Sequence, residues 1–256
     1  MDDATHRTIT QREFARQSPS FEQAGSLFRD ESILAWIAGH VPVPSDARIL
    51  DVAGGTGQAG RHLARGRGSV VIVDVTDEML QAGLRSVREQ GRHDVTFVRG
   101  EATDLPFPGG QFDVVICRFA LHHMTRPAAA VSEMARVCRA GGTVTIVDLV
   151  GGGARHDELE RLRDPSHTRA LPERELCDIV AAAGGSSAPS RFAAREHTMR
   201  VEPWLEQSAT AQGDRRRIRE ALAAEADGQE PTGLRAARDD AGELTITQRW
   251  VLAGTG

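Results

Sequence analysis

Tyrosine, lysine and asparagine are absent from the 256 residues, and aromatic residues of all kinds make up only 4%. Without lysine there is no P-loop to cradle a triphosphate and no ε-amine to form a Schiff base; lacking tyrosine as well, the chain has no Tyr/Lys pair for hydride transfer. The absent residues are those with A/T-rich codons, which points to a high-GC bacterial genome. The three cysteines, Cys117, Cys138 and Cys177, have neither paired nor metal-ligand spacing and fall within apolar patterns, so buried reduced thiols are expected and no metal site. No apolar run approaches the roughly 20 residues that span a bilayer, and the N-terminus has neither a basic n-region nor an apolar h-region. A cytoplasmic protein with no membrane partner is expected. Net charge is -5 and no basic stripe is interleaved with aromatics, which excludes a nucleic-acid backbone as partner.

What is present is length enough for one α/β domain with a full core. Its informative stretch runs from Arg48 to Gly60. An apolar run ends in Asp51, and the small residues after it turn into a helix starting near Gly57, where backbone amides face a ligand. Gly55, Gly57 and Gly60 spell G-x-G-x-x-G, and Asp74 ends a second strand (Val70 to Asp74) about 20 residues on, the spacing of a dinucleotide fingerprint. Asp51 decides against that reading. Its carboxylate at the mouth of the turn repels a pyrophosphate and attracts a cation. S-adenosylmethionine (SAM), with an ammonium group, a sulfonium and no phosphate, fits better, its ribose hydroxyls donating to Asp74.

Three segments in order, Asp51-Val-Ala-Gly-Gly-Thr-Gly57, Val70-Val-Ile-Val-Asp-Val-Thr-Asp-Glu-Met-Leu80 and Arg99-Gly-Glu-Ala-Thr-Asp-Leu-Pro-Phe-Pro-Gly-Gly-Gln-Phe-Asp-Val-Val115, resemble a class I SAM-dependent methyltransferase, and within that class the ubiquinone/menaquinone C-methyltransferase (methyltransferase type 11) group. The resemblance spans about Ile49 to Leu149. It implies a Rossmann-like α/β fold: a doubly wound, mostly parallel seven-stranded sheet with an antiparallel last strand. It also implies that Asp51, Ala53, Gly54, Gly55, Thr56, Gly57, Asp74, Val75, Met79, Glu101, Ala102, Arg118 and Phe119 form the cofactor site, S-adenosylhomocysteine (SAH) being the product. Ala53 stands where the general pattern has its first glycine, and Glu101 where Asp or Asn is usual. Without asparagine, the Asp-Asn pair of Mg-dependent catechol-type enzymes cannot form.

Residues 1–45 carry Phe14, Phe21, Leu27, Phe28, Ile33, Leu34, Trp36 and Ile37 in a helical pattern ending at Val41-Pro-Val-Pro44, which predicts two helices ahead of the core in 46–256. Thr76 is expected to cap a helix with apolar face Met79, Leu80, Leu84 and Val87. Pro127 opens another whose buried stripe is Val131, Met134, Ala135 and Cys138, ended by Gly141-Gly142 before a strand from Thr143 to Leu149. After Gly151-Gly-Gly153, a helix from Leu171 to Ala183 and strands from Ser190 to Met199 and Glu243 to Leu252 follow. An insertion at about 200–240 carries Trp204, Leu205, Ile218 and Leu222 at helical spacing; with the N-terminal helices it is expected to form a lid. The Arg215-Arg-Arg217 run with Arg219 reads as a solvated helix face.

Transfer from a sulfonium requires alignment and dryness, and a base only when the acceptor must lose a proton. His122, His123, Asp148 and His167 are the candidates at the strand ends, His123 first as base and His167 next, while His122 reads as a pocket-shaping histidine bonded to the backbone and Asp148 as a turn cap. A small-molecule acceptor is expected. Three other readings share these residues: a non-methylating enzyme of the same fold such as a cyclase, a nicotinamide-dependent reductase, and a silent SAM-binding partner of another protein.

Overall fold

A computed structural model describes residues 2–23, 26–66, 68–185 and 188–256; Met1, Ala24 and Gly25 of the expected N-terminal lid, and Arg67, Ser186 and Ser187, lie outside the described residues. Among the described residues eight strands form one sheet: β1 (Ala47–Val52), β2 (Gly68–Asp74), β3 (Val95–Arg99), β4 (Phe112–Arg118), β5 (Cys138–Leu149), β6 (Arg191–Arg200), β7 (Ala237–Arg238) and β8 (Leu244–Gly254). Their order is β3-β2-β1-β4-β5-β8-β6, with β7 paired to β8. Strands β1 to β5 are parallel, and β8 runs antiparallel to both β5 and β6. This is the expected doubly wound sheet, extended by the two-residue β7.

The central strands form because alternate residues bury on opposite faces. Leu50, Val52 and Val115 pack with Val131, Met134, Leu176 and Val180 of helices α5 (Pro127–Val137) and α7 (Glu173–Ala183). Ile49, Val114 and Ile116 pack on the other side with Ile33, Ile37, Ala59 and Leu63 of α2 (Glu31–His40) and α3 (Gln58–Leu63). Each such fully buried aliphatic side chain contributes about 1.5–3 kcal/mol. A third cluster lies apart from the sheet centre, where Leu159 of α6 (Ala154–Arg163), Trp204 and Leu205 of α8 (Val201–Gln207), and Ile218 and Leu222 of α9 (Gln212–Ala226) meet Ile246. The expected insertion thus has its own small core. Arginines on α9 pair locally, Arg219 with Glu202 and Arg217 with Asp214. Among the described residues no helix is long and apolar enough to cross a membrane.

Several local expectations are corrected. Helix α5 ends at Val137, and Cys138 begins β5, because a register shift between Phe112 and Val114 lets the fifth strand pair earlier than Thr143. Only Cys117 is fully buried; Cys138 and Cys177 are half-buried free thiols. Thr76 precedes α4 (Asp77–Glu89), yet its hydroxyl makes no capping bond; its amide donates instead to Asp74 Oδ1 at 2.8 Å. The buried face of α4 uses Gly83 and Ser86 where Leu84 was expected, since Leu84 is half-buried. Helix α6 was not foreseen, its buried positions being the polar His156, Asp157 and Glu160 beside Leu159.

Gly83 is the point where α4 touches the ligand turn. A Cβ there would lie 2.5 Å from Phe97 Cε1 and 2.7 Å from the Thr56 carbonyl oxygen. In an exposed helix, Gly→Ala gains about 1 kcal/mol. Here the overlap with backbone outweighs that gain, so Gly83→Ala is expected to lower the urea midpoint and melting temperature. A stabilised variant would show that the turn yields freely.

Candidate active site

The carboxyl ends of β1, β2, β4 and β5 open on a cavity of about 210 Å³. Asp51, 1% exposed at the end of β1, accepts the Gly60 amide through Oδ2 at 2.8 Å, while its Oδ1 has no partner. Burial pushes the Asp51 carboxyl up to about 6, with the Gly60 bond and Arg118 pulling it back and Asp74 adding to the rise. Asp74 at the end of β2 accepts the amides of Gly55 and Thr76, each at 2.8 Å. Burial raises its carboxyl too, against those bonds. The second acid therefore holds the turn from below, while the first points a bare oxygen into the cavity.

Between them the backbone adopts left-handed conformations at Ala53 (φ 50), Gly55 (φ 57) and Gly57 (φ 84). Glycine is the unstrained residue at such positions; Ala53 carries the steric penalty of its Cβ, roughly 1–2 kcal/mol. A Cβ at Gly54 would sit 2.7 Å from the Asp51 carboxyl carbon. Thr56, Val75, Met79, Ala102 and Phe119 line the cavity. Arg118, at the end of β4, is stacked near the Phe28 and Phe119 rings, and burial lowers it to about 10 while Asp51 favours its charge. Glu101 also reaches the cavity, but its carboxylate meets Arg7 at 2.5 Å.

Helix α1 (Asp3–Phe21) closes the cavity from above. His6, Thr10, Phe14, Gln17 and Phe21 share one helical face and line it. This stripe is half polar, which is why apolar periodicity finds only its phenylalanines. Its tethers are hydrogen bonds: Gln11 Nε2 to the Val75 carbonyl at 2.9 Å, His6 Nε2 to the His123 carbonyl at 2.7 Å, and Gln17 Nε2 to Asp164 Oδ2 at 2.9 Å. Glu22 anchors the far end by accepting from Gln58, Arg61 and Ser86. Arg16 bonds the Ser208 and Ala209 carbonyls, so α1 also holds the insertion. Trp204, Met199, Gln248 and Trp250 complete the wall.

The histidines divide. His122 Nδ1 lies 2.5 Å from Asp148; burial alone would lower this imidazole, but Asp148 beside it turns the shift upward. His123 lines the cavity edge-on to Phe14, and burial, with His122 and His167 adding to it, depresses its imidazole well below the usual range. His167 does not line the cavity. It is buried behind it with Nε2 2.8 Å from Asp157 Oδ1, an oxygen that also accepts the Ala170 amide at 2.9 Å. Ser166 and Asp164 sit between the two histidines. Sequence reasoning singled out His167 within Asp164-Pro-Ser-His-Thr168 but gave no role to Asp164 or Ser166, whose contacts to His123 arise only in the folded chain.

A doubly wound sheet with a half-satisfied acid near the end of its first strand above a glycine turn, and an acid under that turn ending its second, is the arrangement of the class I SAM-dependent methyltransferase fold. Residues 49–142 match the family described as methyltransferase domain. The chain is 32% identical over 162 residues to the uncharacterized methyltransferase YcgJ of Bacillus subtilis, covering 58% of this chain and 63% of that one. It is 33% identical over 130 residues to the ubiquinone/menaquinone biosynthesis C-methyltransferase UbiE of Shewanella frigidimarina, covering 49% and 51%. The chain thus spans between half and two thirds of these relatives' lengths. The YcgJ crystal structure superposes with a TM-score of 0.75 at 24% identity over 88% of this chain and 97% of that one. The [4+2]-cyclase SpnF shares the fold, with a TM-score of 0.60 at 18% identity over 98% and 97%.

The raised Asp51 carboxyl carries a sign. Its folded pKa exceeds the ordinary 3.8, so the folded state binds more protons than the unfolded between about 4 and 6, and stability falls as pH rises through that window by up to about 3 kcal/mol. Asp51→Asn is expected to flatten this slope and raise the melting temperature of the ligand-free protein at pH 7, while weakening SAM. Melting curves from pH 4 to 8 with and without SAM check both; an unchanged slope would mean that Asp51 is hydrated.

Proposed function

We propose that this chain transfers the methyl group of SAM to a small-molecule acceptor, in bacterial cofactor or secondary metabolism. The observation that carries the reading is Asp51 Oδ1, a buried carboxylate oxygen without a partner at the head of a glycine turn. It suits the ammonium group of SAM, and the neighbouring Arg118 suits the carboxylate of the same end. Asp74 takes the ribose hydroxyls, Glu101 and Ala102 flank the adenine, and Gly54, Gly55, Thr56, Gly57, Val75, Met79 and Phe119 close around the rest. When bound, SAM supplies a methyl group on a sulfonium and leaves as SAH. A pyrophosphate facing Asp51 would meet a carboxylate at neutral pH, which disfavours NAD(P).

SAM and SAH are expected to raise the melting temperature, and NAD(P) to leave it unchanged. Asp74→Ala should weaken SAM by about 1.5–3 kcal/mol, tenfold to a hundredfold by calorimetry, because both the ribose acceptor and the support of Gly55 are lost. Labelled SAM incubated with a fractionated bacterial extract should yield a labelled small product. Turnover supported equally by SAH would instead mark a non-methylating enzyme.

Helix α1 and the insertion act as lids. Polar tethers exchange readily with water, whereas Phe14, Phe21 and Trp204 exclude it once seated. Hydrogen exchange in residues 3–21 and 200–225 should slow when SAH and acceptor are added together. Exchange already slow in the empty protein and unaltered by ligand would make them fixed walls.

A further inference from the structure

His123 Nδ1 lies 2.9 Å from Ser166 Oγ, and Ser166 Oγ lies 2.5 Å from Asp164 Oδ1. Asp164 is a carboxylate: burial alone would raise it, but His123, Arg163 and the bonds from Ser166 and Gln17 hold it below the usual range. A carboxylate only accepts, so the Ser166 hydroxyl hydrogen goes to Asp164. The serine oxygen is then left with lone pairs alone, and the hydrogen between Ser166 and His123 must sit on Nδ1. We infer that Ser166 and Asp164 are positioning residues that hold His123 in its Nδ1–H tautomer, leaving Nε2 as the bare proton acceptor for an acceptor substrate that arrives as an O–H or C–H acid. The inference rests on the methyl-transfer reading for its substrate, but the tautomer itself does not.

The relay explains an otherwise unfavourable arrangement. His123 sits among His122, His167 and His6, with Asp148 turned to His122 and Asp157 to His167, so Asp164 is the carboxylate left to face it. Burial and two imidazole neighbours depress its basicity. When Nε2 takes the acceptor's proton, the bonding pair stays on the acceptor atom. The ring becomes an imidazolium with Nδ1–H retained, and its charge is shared through Ser166 with Asp164. Both outer supports come from α1: Gln17 bonds the second oxygen of Asp164, and His6 bonds the His123 carbonyl. Seating the lid and aligning the base are therefore one event.

The test reads the tautomer directly. Long-range 15N–1H spectra of labelled, SAH-bound protein should show His123 protonated on Nδ1. Ser166→Ala should convert it to Nε2–H or a mixture, and Ser166→Thr, which keeps the hydroxyl, should restore Nδ1–H. With a turned-over acceptor, Ser166→Ala should lower kcat on the order of a hundredfold, the same loss expected of His123→Ala. SAH affinity should stay within about twofold in Ser166→Ala. The sign of the pH effect separates the relay from a packing defect: losing contact with Asp164 lowers the His123 pKa, so the acidic limb of kcat moves to lower pH while the plateau falls. Wild-type His123 carrying its hydrogen on Nε2, or a Ser166→Ala variant with unchanged tautomer, overturns the proposal. The expected tautomers with no methylated product from any acceptor would leave the relay standing and remove the methyl-transfer reading.

Discussion

The structure turns on one buried carboxylate. Asp51 ends the central parallel strand in a place from which water is largely removed, and there a half-satisfied charge is costly. One oxygen is secured by the Gly60 amide, which ties strand β1 to the start of α3. The other is left for a ligand. Everything nearby accommodates this: Gly54 and Gly60 have no Cβ because one would strike the Asp51 side chain at 2.7–2.8 Å, and Asp74 braces the turn through the Gly55 amide. A cation entering the cavity would remove the electrostatic strain that the empty protein carries, which couples cofactor binding to stability through a single group.

Above that floor the cavity has two kinds of wall. The sheet side is built of aliphatic core and does not depend on occupancy. The α1 side is held through side-chain amides, imidazoles and guanidinium groups, each worth about 1 kcal/mol and readily exchanged for water. Its residues belong to neither main hydrophobic cluster. The Arg16 bonds to the Ser208 and Ala209 carbonyls join α1 to the insertion, so the two covers are placed to move together.

The histidine cluster shows how identical side chains acquire different roles from their partners. His122 faces Asp148 and is pushed toward the charged form. His123 lines the cavity and is pushed toward the neutral form by burial, and His167 faces Asp157 behind it. Adjacent in sequence, His122 and His123 diverge because the short turn after β4 points one toward β5 and the other toward α1.

The succession of strands along the chain, the glycine turn, Asp51 and Asp74 were legible because they depend on local rules: alternating burial, positive φ after a strand, and an acid at a strand end. So were the unforeseen details in part, for His6, Thr10, Phe14, Gln17 and Phe21 repeat at helical spacing, but a stripe half polar gives no hydrophobic signal. Glu101 was expected at the cavity, which it lines, while its pairing with Arg7, 94 positions earlier, was not readable, since side chains so far apart meet only through the sheet's topology. The same holds for Cys138, whose place in β5 follows from a register shift against β4. By itself the sequence determined the fold class and the cofactor turn, because those rest on contacts close along the chain. Tertiary structure alone decided which histidine faces the cavity and which lies behind it, and that Ser166 and Asp164 stand beside His123, because burial and tautomer are set by partners brought together from α1, the β4 turn and the segment after α6.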